Sequence, residues 1–128
     1  MAEADTHTYS ADELKALASA LDGLAEALPV DTPGEEGLEM TRWAQAVGGA
    51  ASNLRLMAVR DYVAQAQEPL ADIVQATSEA KEAIRKIKQV AKAIELVGDA
   101  LLLSTVIWLQ KWNLVGPTLK ELRSDIKG

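Results

Sequence analysis

Cysteine and phenylalanine are both absent from this 128-residue chain, and histidine occurs once, as His7. Without cysteine there is no disulfide framework and no thiolate metal site. A single histidine excludes the paired Glu-x-x-His motifs of a di-iron helical bundle. It also leaves the serines without a base for nucleophilic catalysis, and there is no glycine-rich phosphate loop. The acidic stretch 31–39 holds Glu35, Glu36 and Glu39 but lacks the ligand spacing of a calcium loop. It reads as a solvated linker. These absences predict a non-enzyme with no metal, no cofactor and no small-molecule substrate.

Aromatic residues make up 4% of the chain, so helix contacts must rest on alanine and leucine. Both lose little side-chain freedom in a helix, and the composition therefore favours helix over sheet. The net charge of −6 is unevenly spread: residues 1–64 carry 11 acidic and 4 basic groups, residues 65–128 carry 8 and 9. A net acidic surface argues against nucleic acid as the main partner. The opening MAEADTHTYSADE has neither a basic start nor an apolar run and does not read as a secretory signal. The expected organisation is a flexible lead-in over residues 1–9, one domain over 10–128, and a cytoplasmic setting.

Apolar spacing predicts the helices. Ser10 and Glu13 form a capping-box pair, and Leu14, Leu17, Leu21, Leu24 and Leu28 follow at helical steps. Pro29 stops this helix. Thr32 and Glu35 make a second capping-box pair, weakened by Gly34 and Gly37, so the second helix is expected to start nearer Leu38 and to run to about Ala66. Its stripe is Trp43, Val47, Ala50, Leu54 and Met57, with a bend or a break expected at Gly48–Gly49. A turn at Gln67–Pro69 then makes helices two and three a long hairpin. From Leu70 to Leu101 a heptad runs unbroken through Ile73, Thr77, Ala80, Ile84, Ile87, Ala91, Ile94 and Gly98. Such a stripe buries against other helices. Gly98–Asp99 is the expected joint to a fourth helix ending near Asn113; one continuous helix from Leu70 is the alternative. Gly116–Pro117 ends that element, and Thr118 with Glu121 caps a short last helix. The predicted fold is all-α: an antiparallel bundle of four main helices plus a short C-terminal one.

Three surfaces are candidates for function. Lys81, Arg85, Lys88 and Lys92 lie on one helix face. Flanking positions of this kind pair with acids on a neighbouring helix, here Asp22 and Glu26, or else meet anionic lipid or an acidic partner. The segment LVGDALLLSTVIWL contains Leu96, Leu101, Leu102, Leu103 and Ile107, and Trp108 and Trp112 close it around Lys111. Tryptophan and lysine at the end of an apolar run suit a membrane interface. Fourteen helical residues, however, reach only ~21 Å of the ~30 Å hydrocarbon core, so a buried central helix is the plainer reading. Ala44, Gly48 and Ser52 recur every fourth residue and suit a close helix contact, within the chain or between copies. The sequence thus points to a non-catalytic interaction or assembly module that self-associates or docks a protein partner. A membrane-active protein of pore-forming or holin-like type, using 81–94 and 96–112, is the alternative.

Overall fold

A computed structural model describes residues 7–8, 10–59, 65–66, 70–87 and 89–128. Among them, five α-helices carry the fold: α1 Ala11–Ala27, α2 Glu35–Val59, α3 Leu70–Ile87, α4 Val90–Trp108 and α5 Val115–Lys127. Their packing partners form a closed cycle, α1 on α2, α2 on α4, α4 on α5, α5 on α3, and α3 back on α1. The all-α bundle of four main helices and a short fifth is therefore present. The α2–α3 hairpin is not its main contact; α1 is the partner that α2 and α3 share.

The α1 capping box forms as its sequence requires. The Glu13 N–H donates to Ser10 Oγ at 3.2 Å and the Ser10 N–H to Glu13 Oε1 at 3.3 Å. Leu14, Leu17, Leu21 and Leu24 are buried along one stripe. The other two capping boxes do not form. The Thr32 hydroxyl donates to the Pro29 carbonyl at 2.8 Å, which spends it on the turn. The Thr118 hydroxyl donates to the Leu114 carbonyl at 2.7 Å, because α5 starts earlier than expected and Thr118 lies inside it. Pro117 sits in the first turn of α5, where its missing N–H costs no helical bond.

α2 begins at Glu35 rather than near Leu38. Gly34, at φ +80°, turns the chain into the helix. Gly37 is buried under the preceding loop, where any Cβ would strike the Thr32 carbonyl oxygen. The helix continues without a break through Gly48–Gly49, with Val47, Ala51 and Leu54 buried on either side. It ends at Val59, short of Ala66. Gln65–Ala66 instead form a short antiparallel strand, β2, against β1, His7–Thr8, with His7 opposite Ala66 and Thr8 opposite Gln65. The expected turn at Gln67–Pro69 lies outside the described residues.

The long heptad holds only to Ile84. Leu70, Ile73, Thr77, Ala80 and Ile84 are buried, but Ile87 is 40% exposed, Ala91 is exposed and Ile94 half-buried. The chain leaves the helix after Ile87, with Gln89 extended at φ −106° and ψ 129°. α4 then runs unbroken through Gly98–Asp99, the position expected for the joint. The reason is a competing stripe. Ala93, Leu96, Ala100, Leu103 and Ile107, with Val97 and Val106 alongside, are buried. A straight continuation of α3 would have turned Ala91 and Gly98 inward and Leu103 and Ile107 outward. Burying the bulkier set removes more apolar surface from water, and reaching it requires a change of register. The expected buried central helix is corrected by the same shift, with Leu102 on the surface at 53% exposure.

α4 closes at Trp108 with a Schellman arrangement. The Lys111 N–H donates to the Val106 carbonyl at 2.8 Å and the Gln110 N–H to the Ile107 carbonyl at 3.0 Å. Gln110 takes φ 60° to allow it, a conformation that normally selects glycine. A 3-10 turn, Trp112–Leu114, leads into α5. The helix end near Asn113 is thereby corrected to Trp108. The core is one cluster drawn from all five helices, and its buried hydroxyls are satisfied: Thr77 donates to the Ile73 carbonyl at 2.9 Å and Ser104 to the Leu101 carbonyl at 2.8 Å.

Candidate functional site

The most unusual chemistry lies between α4 and α5. Asp99 is the only charge within the apolar run of α4, and Glu121 and Asp125 are one turn apart on α5. Packing α5 onto α4 brings carboxylate oxygens of all three within 4.8 Å of one another. Oδ2 of Asp99 is buried and receives no hydrogen bond. Burial is the main reason that the Asp99 carboxyl is raised from 3.8 to about 7; a hydrogen bond with Asp125 and the charges of Asp125, Glu121 and Glu95 add to it. Two ionised carboxylates can only accept, so Asp99 can bond to Asp125 only when Asp99 carries a proton.

Lys92 brings a cation to the same seam. Its ammonium donates to the backbone carbonyl of Asp125 and to Glu95 Oε1, the latter at 3.3 Å. Asp125 lies in the last turn of α5, where carbonyls lack helical partners and a cation complements the dipole. Lys92 thus ties the end of α5 to α4. Sequence spacing alone does not reveal the acidic cluster, because its members are separated by the whole α4–α5 connection. The available signal is a lone aspartate in a buried run facing a helix with acids one turn apart.

The basic stripe is divided by the register change. Lys81 and Arg85 stay on α3, beside Glu82 at 4.0 and 3.6 Å; Lys92 belongs to α4, and Lys88 lies outside the described residues. Asp22, the expected partner of this stripe, pairs instead with Arg55 of α2 at 2.5 Å. The apolar segment divides by depth. Leu96, Leu103 and Ile107 are core, Leu101, Trp108 and Trp112 are half-buried, and Leu102 and Leu109 are exposed. Of the small-residue set, Ala44 is half-buried, Ser52 is exposed, and nothing lies within 4 Å of where a Gly48 Cβ would stand. Among the described residues no other helix backbone therefore packs closely at Gly48. Trp43 fills the α2–α4 contact instead, with Cη2 3.7 Å from the Cβ position of Gly98.

Among the described residues no helix is long and apolar enough to cross a membrane. Comparison with known protein families, curated proteins and solved structures finds no match to this chain.

Proposed function

We propose that this chain is a non-catalytic helical interaction module that associates with a second copy or a protein partner through the outer face of α4. The observation that carries this is the pair Leu102 and Leu109, each 53% exposed. Leu109, the cap residue that follows α4, stands seven residues from Leu102 and continues the same face. Half-buried Leu101, Thr105 and Trp108 lie between and beside them. Scattered apolar side chains need no explanation, but an aligned set with a tryptophan suits an interface core. The cysteine-free sequence is compatible with a cytoplasmic setting.

Sedimentation velocity over a wide concentration range tests self-association. The wild-type chain is expected to form a concentration-dependent oligomer, and the double variant Leu102→Glu/Leu109→Glu to remain monomeric with unchanged helicity. A monomer at every concentration would remove self-association, and an oligomer indifferent to both glutamates would remove this face.

A second reading draws on the cluster of Trp108, Leu109, Lys111, Trp112 and Leu114 around the end of α4. Leu109 and Leu114 are exposed, and tryptophan with lysine suits a lipid headgroup layer. Membrane activity of this kind predicts co-flotation with anionic liposomes, dye release and a blue shift of tryptophan emission. Unchanged emission and helicity with liposomes of any composition would end that reading.

A further inference from the structure

We propose that the α4–α5 contact is a proton-operated latch, in which a proton held by Asp99 within the carboxylate cluster keeps α5 down and its loss loosens α5. The geometry sets the terms. Three carboxylates from two helices meet with their oxygens within 4.8 Å, and a buried oxygen of Asp99 has no donor. The charged groups around it are few. On α4 itself these are Glu95 and Lys92, and on α5 they are Glu121 and Asp125. α2 contributes the uncharged Trp43 beside Gly98. The charges between α3 and α5, Glu79 against Arg123 and Lys127, line a separate groove with Gln75 and Ile126.

With the proton in place, Asp99 is uncharged and presents a donor to the carboxylates gathered around it. Without it, Asp99, Asp125, Glu121 and Glu95 confront one another across one ammonium, and every carboxyl oxygen is an acceptor. Such repulsion falls on the α4–α5 seam alone, so α5 is the element that responds. The direction agrees with the raised carboxyl of Asp99: the docked state binds a proton that the undocked state releases. Loosening α5 uncovers Val115, Leu119 and Leu122, which are buried in the bundle.

Amide hydrogen exchange of the whole chain at pH 5.5, 7 and 8.5, corrected for intrinsic rates, reads the latch. Protection over residues 119–126, relative to residues 17–24 of α1, is expected to fall about tenfold or more across that range, the size of a change of one pK unit. Asp99→Asn is expected to flatten the response, and Asp125→Asn to do the same should the first variant fold poorly. A constant ratio between α5 and α1 in the wild type would overturn the proposal. So would a fall that persists in both variants, or an equal drop in protection in α1 and α5.

Discussion

Truncating Ile84 and Ile87 to alanine, one at a time, isolates the register change between α3 and α4. The two residues are neighbours in the same heptad and identical in chemistry. Ile84 is 3% exposed and Ile87 is 40% exposed. Removing three buried carbons at ~0.8 kcal/mol each, with the cavity left behind, makes Ile84→Ala cost about 3 kcal/mol. For a domain of this length, that lowers Tm by about 12 °C. At position 87 the side chain is already partly in water, so its burial is worth only about 1 kcal/mol, and the better helix propensity of alanine returns a few tenths. The expected destabilisation is therefore about 0.5–1 kcal/mol. Urea melts followed by circular dichroism, with the slope held common, measure both. Had the heptad continued straight, Ile87→Ala would cost about 2–5 kcal/mol like any core truncation. Equal costs at the two sites would refute the register change, as would a cost below half a kcal/mol at Ile84.

Gln110→Gly should raise stability by about 1 kcal/mol, because glycine takes the left-handed conformation that glutamine holds at φ 60° without a Cβ penalty; thermal melts check it, and a lower Tm would mean the Gln110 side chain has a role of its own. Gly37→Ala should lower stability by about 2 kcal/mol or more, since its Cβ meets the Thr32 carbonyl and the loop must move; an unchanged Tm would place the loop elsewhere. The Asp99 carboxyl is raised from 3.8 to about 7, so the folded chain holds a proton that the unfolded chain has released, and the stability it contributes falls as pH rises through that window and is gone above about 7. Unscreened, three pK units would amount to about 4 kcal/mol; with Asp99 only partly shielded from solvent, about 1–2 kcal/mol is expected. Asp99→Asn should remove this slope, read as the difference between wild-type and variant Tm from pH 5 to 8, and identical slopes would refute it.

Local chemistry is legible in the sequence at α1, whereas the capping-box signals at Thr32 and Thr118 do not form because their hydroxyls bond to the Pro29 and Leu114 carbonyls. The α1 capping box and its leucine stripe depend on residues within four positions of each other, and both stand where spacing puts them. Glycine and heptad signals mislead where packing competes with them. Gly48 and Gly49 cost helix propensity, but the buried residues on either side outweigh that cost. The run from Leu70 to Leu101 contains two stripes, and the choice between them depends on how much apolar volume the rest of the bundle can cover. The carboxylate cluster is hidden for a related reason: the proximity of Asp99, Glu121 and Asp125 is a property of helix docking, and no local spacing encodes it.

The β1–β2 ladder joins the start of the chain to its midpoint, with α1 and α2 inside the loop it closes. Drawing together ends that far apart costs ~4 kcal/mol of chain entropy, whereas two residues of ladder return only ~1 kcal/mol per hydrogen bond. The strand pair cannot lead the folding of the amino-terminal half. It must follow the docking of α1 on α2, and the amides of His7 and Thr8 are then expected to be among the first to open and the last to close.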